Sequence, residues 1–161
     1  MLKVRIMPTL LYRDVELVKG VGFDSWRRVG GVMQAVKVYN LREVDELVFL
    51  DITATRDGRA PDTELVDEIA DECFMPLTVG GGIKSVDDVR RLLQVGADKV
   101  ALGTAAVEAS SLIFDIAARF GSQCVVVAID ARRHADRCEV FVRSGTVATG
   151  IECVSFLSKA K

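Results

Sequence analysis

The chain has 161 residues, the length of one domain at about 100–200 residues each. Half of them are apolar and 27% are charged, which excludes a disordered or collagen-like chain. With 21 Lys and Arg against 23 Asp and Glu, the net charge of −2 is too small to draw in nucleic acid or an anionic membrane.

Taken in order, Val4–Leu11 predicts a first strand. Tyr12–Gly31 follows as an irregular stretch carrying Lys19, Gly20, Gly22, Gly30 and Gly31, and loops of such length are usually functional lids or disordered. Within it, Trp26 of the Phe23–Arg28 segment either packs locally or docks a lid or ligand. Gln34–Leu41 reads as a weak helix, and Glu46–Ile52 as an apolar strand ending at Asp51. Thr63 opens a helix with Leu65, Val66, Ile69 and Ala70 inward. Met75–Val79 is a strand running straight into Gly80-Gly81-Gly82. Ser85-Val-Asp-Asp88 resembles a capping box, with Val86, Val89, Leu92 and Leu93 as the apolar stripe and Gly96 as C-cap. Lys99–Leu102 is a fourth strand. Ser110 or Ser111 opens a helix with Leu112, Ile113, Ile116 and Ala117 inward, closed by Gly121. Cys124–Asp130 is a fifth strand. Ala131–Gly150 is charged and irregular, with a small hairpin of Cys138–Val142 and Gly145–Ala148, and one more helix starts after Gly150.

Near-continuous apolar runs mark strands covered on both faces, as in a parallel sheet. A weak repeat, Asp45–Ala54 against Asp98–Ala106, suits a (β/α) barrel, but a doubly wound open sheet has the same local grammar. The longest apolar run, Cys124–Ile129, is far below the ~20 residues of a membrane span. The start of the chain lacks a secretory h-region. Cys73, Cys124, Cys138 and Cys153 form no CxxC pair, and Cys73 and Cys124, in apolar surroundings, read as reduced core residues of a cytosolic protein. One histidine, His134, argues against a zinc site or a Ser-His-Asp triad, and no cofactor is expected.

Several residues could carry chemistry. Gly81 and Gly82, followed one unit later by Gly103 and Thr104, offer backbone amides and a hydroxyl at one sheet end, as a phosphate cradle or simply as tight turns. Asp51 and Asp130 end apolar strands, where a carboxylate meets substrate, acts as a general acid or base, or caps the next loop. Arg5, Glu46 and Lys99 begin three strands, so parallel pairing gathers them at the opposite face as a salt-bridged gate or as solvated strand ends. Lys19 either folds over an anion or stays solvated.

VDELVFLDITA, PLTVGGGI, GADKVALGTAA and FGSQCVVVAIDARR resemble the cyclase subunit of imidazole glycerol phosphate synthase, over nearly the whole of Leu2–Gly150. The resemblance implies a lyase-type (β/α)8 barrel of histidine biosynthesis. Such a barrel takes ammonia from a glutamine amidotransferase at its bottom and uses it at its top on a phosphorylated, ribosyl-type substrate. It assigns Asp130 and Lys19 to catalysis and Gly82 and Thr104 to phosphate. Arg5, Glu46 and Lys99 fall to the ammonia gate and Asp98 to the partner interface. Leu11 stands where the family's first catalytic Asp belongs, and Gly103 replaces an Asn. Met7-Pro-Thr-Leu-Leu and the Phe23-Asp-Ser-Trp segment look more like a paralogous branch linked to amidation of bacterial surface sugars. A non-catalytic partner-binding module is the other alternative. An eight-fold barrel takes about 250 residues. Residues 1–161, with five predicted strands, are therefore expected to be the N-terminal part of a barrel or a half-barrel that completes itself by dimerising.

Overall fold

The apolar segments pair side by side because each strand exposes main-chain donors and acceptors that only a neighbour can satisfy. The computed structural model describes residues 4–22, 24–135 and 137–159. Phe23 and the chain ends at 1–3 and 160–161 lie outside the described residues. In chain order the elements are β1 (Thr9–Arg13), β2 (Glu16–Val21), β3 (Asp24–Gly30), α1 (Val32–Leu41), β4 (Leu47–Asp51) and α2 (Thr63–Glu72). There follow β5 (Leu77–Gly80), α3 (Val86–Gln94), β6 (Lys99–Leu102), α4 (Thr104–Glu108), α5 (Ser111–Phe120) and β7 (Val125–Val127). The last are β8 (Asp130–His134), β9 (Arg137–Val142), β10 (Val147–Glu152) and α6 (Cys153–Lys159).

The central sheet has the order β3-β2-β1-β4-β5-β6-β7. From β1 to β7 the neighbours are parallel, while β2 and β3 pair antiparallel. The fold is α/β with a mostly parallel sheet that stays open, with β3 and β7 as its edges. Alternation along the strands gives two unlike faces. Leu47, Phe49, Leu77, Val79, Val100 and Leu102 are buried in the core that α2, α3 and α5 share through Val66, Ile69, Val89, Leu92 and Ile116. The other face is less well covered: Val48 and Leu50 are half-buried and Val126 on the edge strand is exposed.

The helices begin where local chemistry satisfies their free amides. The Asp62 carboxylate accepts from the Leu65 amide at 3.1 Å, so the cap lies one residue before Thr63. At α3 the expected box forms: Ser85 Oγ accepts from the Asp88 amide at 3.1 Å, and Asp88 Oδ2 accepts from the Ser85 amide at 3.0 Å. Gly96 and Gly121 follow α3 and α5 with φ of 99° and 96°.

Four boundaries differ from the sequence reading. Tyr12–Gly31 is not a loop: β1 continues to Arg13, turns at Asp14 (φ 61°), and β2 and β3 extend the sheet as an antiparallel ribbon with Leu17 and Val18 buried. The first strand starts at Thr9 rather than Val4, because Val4–Pro8 lack the regular ladder; the Asp45 main chain still donates to the Ile6 carbonyl at 3.1 Å. Cys124–Asp130 divides into a short 3₁₀ turn at Ser122–Cys124, then β7, while Asp130 opens β8. Finally, the expected hairpin is a three-stranded antiparallel sheet, ordered β10-β9-β8. Among the described residues no helix is long and apolar enough to cross a membrane.

Candidate functional site

The carboxyl ends of β4, β5 and β6 bring the glycine turns together. Gly80 pairs with Ala101, so Gly81-Gly82 and Gly103-Thr104 lie on adjacent strand ends. Gly81 has φ 111°, and a Cβ there would stand 2.2 Å from the Asp51 carbonyl oxygen, so only glycine fits. The Gly82 amide donates to Thr55 Oγ1 at 3.2 Å. Thr104 Oγ1 accepts from the Arg143 amide at 2.9 Å. The donors expected of a phosphate cradle are thus gathered, and two of its groups are engaged by the protein itself.

Asp51 shares the core-facing side of β4 with Leu47 and Phe49 and is buried. Its Oδ1 accepts from the Thr53 amide, the Thr53 hydroxyl and the Ala54 amide at 2.9, 2.8 and 3.0 Å. Its Oδ2 accepts from Arg59 at 3.1 Å. The carboxylate therefore holds the β4–α2 loop, and it sets Arg59 at the same strand end.

The turn between β9 and β10 reaches across this end. Arg143, Ser144 and Gly145 all have positive φ, at 54°, 58° and 70°. Ser144 Oγ donates to the Ile52 carbonyl at 3.1 Å, and the Arg143 guanidinium meets Glu108 at 3.1 Å. The Asp130 carboxylate is half-buried and accepts from the Gly145 amide. Burial pushes its pKa above the ordinary carboxylate value, and the Gly145 hydrogen bond offsets only part of that.

The amino ends of β4 and β6, with the segment that leads into β1, carry the charged trio. Glu46 stands immediately before β4, its side chain 8% exposed. Arg5 and Lys99 both meet it at 2.5 Å, one on each carboxylate oxygen. Arg5 is 62% exposed and Lys99 28%, so the cluster is wet on one side and covered on the other. Asp98 is exposed beside it, and its Oδ2 accepts from the Leu77 amide at 2.8 Å. Asp45 does the same for the Ile6 amide at 2.7 Å. The weak repeat thus has a physical meaning: each Asp accepts from a main-chain amide at or just before the amino end of the strand beside its own in the sheet.

A model of the family described as "Histidine biosynthesis protein" matches residues 5–161. The chain belongs to this histidine biosynthesis family. It is 49% identical over 161 residues to "Imidazole glycerol phosphate synthase subunit HisF" of Streptococcus mutans, covering 99% of this chain and 64% of the relative. It is likewise 49% identical over 160 residues to the protein of that name from Hyphomonas neptunium, with the same coverage. The chain spans 64% of the length of each of these curated relatives. These relatives give no support to the surface-sugar branch or to a non-catalytic binding module.

In this histidine biosynthesis family member, Lys19 lies not on a lid but on β2, exposed and opposite Arg27. Trp26 packs over Gly20, where a Cβ would stand 2.7 Å from its ring. Leu11 pairs with Leu50 in the parallel ladder and with Val18 on the ribbon side. Sequence reasoning missed Tyr12, Arg59, Arg143 and Ser144. Tyr12 sits opposite Asp51 with its ring 5.4 Å from Phe49. Burial raises its pKa, and the Asp62 and Asp51 carboxylates add to the shift. An Arg eight residues after a buried strand-end Asp was a readable signal for an ion pair; the reach of Arg143 and Ser144 was not, since their partners lie 35 to 92 residues away.

Proposed function

We propose that this chain corresponds to the first strands of a (β/α)8 barrel and works in the cyclase subunit of imidazole glycerol phosphate synthase, in the cytoplasm. The observation that carries the reading is the division of one parallel sheet into two chemistries. A buried carboxylate clasped by two cations stands at the amino end; glycine turns, a hydroxyl and a carboxyl group of raised pKa stand at the carboxyl end.

In this reading a glutamine amidotransferase docks over the amino end, with Asp98 at the interface. Ammonia passes Glu46 when one of its two ion pairs opens; Lys99, the more covered cation, sets the harder step. At the other end the amides of Gly81, Gly82 and Gly103 and the Thr104 hydroxyl take a substrate phosphate, displacing Thr55 and Arg143 from two of those groups. Asp51 contributes through Arg59, which it holds in place for a second anionic group. Lys19 approaches the substrate from the ribbon. Asp130, favoured in its protonated form by burial, gives a proton during ring closure. Leu11 supplies no proton, so Asp130 acts without an opposed carboxylate.

Titration with inorganic phosphate, followed by amide NMR, tests the cradle: shifts should centre on Gly81, Gly82, Gly103 and Thr104. Shifts elsewhere with these untouched would remove the phosphate assignment. Glutamine hydrolysis by an added glutaminase subunit tests the other end. It should rise in the presence of this chain, and in the whole protein Lys99→Ala should uncouple hydrolysis from ammonia use while sparing turnover with added ammonium.

A further inference from the structure

Two thiols outside the site above are placed for chemistry with each other. In the β9–β10 pair Glu139 stands opposite Glu152. Cys138 and Cys153 are the chain neighbours on either side of that pair, Cys153 being the first residue of α6. The ladder pair beside them spans about 4.5–5.5 Å between Cα atoms, and a disulfide bridges Cα atoms about 4.4–6.8 Å apart. The two thiols are near enough to interact, and Cys138 packs against the core cluster that contains Cys153. Cys153 is buried, at 8% exposure, while Cys138 is half-buried. A groove of about 340 Å³, lined by His134, Arg137, Cys138 and Glu139 among others, gives small solutes a path to the Cys138 side. Cys73 and Cys124 are differently held, each donating to a main-chain carbonyl at 3.3 Å, of Met75 and Phe120.

We propose that Cys138 and Cys153 form a modification site, a dithiol that a hydroperoxide converts to an intramolecular disulfide. Cys138, on the open side, attacks the peroxide oxygen; the O–O bond breaks, giving a sulfenic acid at Cys138 and releasing water. The Cys153 sulfur then displaces the hydroxyl of that sulfenic acid. Its proton leaves with the hydroxyl as a second water, so two thiols and one hydrogen peroxide give one disulfide and two waters. Burial, the Cys138 neighbour and the Glu152 carboxylate push the Cys153 thiol up to about 11, so the second step is slow at neutral pH and quickens in alkali. The bond ties β9 to the start of α6 at the base of the hairpin whose tip reaches over the carboxyl end of the sheet.

The test is peroxide treatment of the full chain, alkylation of remaining thiols, and peptide mapping by mass spectrometry without reduction. The expected product is a linked Cys138–Cys153 peptide pair with Cys73 and Cys124 alkylated, formed faster at higher pH. In Cys153→Ser, dimedone should trap the sulfenic acid at Cys138; in Cys138→Ser, Cys153 should remain a thiol. Mapping of the unsubstituted chain decides the matter even where a substitution at buried Cys153 impairs folding. Bridges through Cys73 or Cys124, bridges between chains, or Cys138 carried to sulfinic acid beside a reduced Cys153 would each overturn the proposal.

Discussion

Replacing Glu46 by Gln keeps its shape and removes the charge that two cations share. Exposed ion pairs are worth about 0.2–1 kcal/mol, whereas removing one partner of a fully buried pair costs about 3–5 kcal/mol. Glu46 is buried, but its partners differ: Lys99 is about a quarter exposed and Arg5 mostly exposed. Discounting for water on both cations, Glu46→Gln should cost about 2–3 kcal/mol, because Arg5 and Lys99 are left side by side. Lys99→Met should cost about 1–2 kcal/mol and Arg5→Met below about 1 kcal/mol. Urea unfolding with an unchanged m-value measures each. Double-mutant cycles should give Glu46–Lys99 a larger coupling than Glu46–Arg5. At about 1 M salt the Arg5 coupling should nearly vanish, since the Debye length falls to about 3 Å, while the covered Lys99 pair persists. Equal couplings for the two cations, or two couplings near zero, would refute the argument that burial of Lys99 makes it the tighter side of the cluster.

Gly81→Ala should destabilise by more than about 1–3 kcal/mol, since φ is 111° and the added Cβ meets the Asp51 carbonyl; thermal unfolding reads this. Ser85→Ala should cost about 0.5–2 kcal/mol by losing the α3 cap, measurable by urea denaturation. Asp88 is pulled below its ordinary pKa despite its burial, by the Lys84 amide, the Ser85 side chain and Arg91. The stability it lends is present above the unfolded value of about 3.9 and is lost as pH falls through the folded one, so Asp88→Asn should flatten the acid limb of unfolding. Asp130 has the opposite sign: its folded pKa is raised, so ionisation opposes folding as pH rises past about 3.9. Asp130→Asn should therefore gain stability over the unsubstituted chain as pH rises from about 3.9 through the folded value, and a gap independent of pH would contradict the burial argument. In the whole protein, Leu11→Asp should raise ring closure with supplied ammonium by about 10²–10⁴-fold, if a second proton-active group is what Leu11 lacks; no gain would remove Leu11 from the account.

Much of the fold was legible because its signals are local. The Ser85–Asp88 box, the inward Val89 and Leu92, and the left-handed Gly96 and Gly121 each follow from a few adjacent residues, and the structure has them all. The ribbon was not legible, because Lys19, Arg27 and Arg28 on its exposed positions and its glycines give the composition of a loop. Among its described residues only Leu17 and Val18 are buried, too few for a readable period of two. The gathering of Arg5, Glu46 and Lys99 needed one assumption beyond the residues, that their strands run parallel, and β1, β4 and β6 do.

The sequence by itself determined the central strands β4, β5 and β6 and the helices α1, α2, α3 and α5, where α3 and α5 stop, and which ends of those strands carry charge or glycine. Those features depend on interactions within a few residues or on the alternation of one strand. Tertiary structure decided the rest. It turned Asp51 from an open strand-end acid into the anchor of Arg59, and it made Glu46 one acceptor for two cations from sequence positions 41 and 53 residues away. It also laid the Arg143–Gly145 turn over Thr104 and Asp130. Each of these depends on which distant groups meet in space and how much water they lose there, quantities that no short window of residues contains.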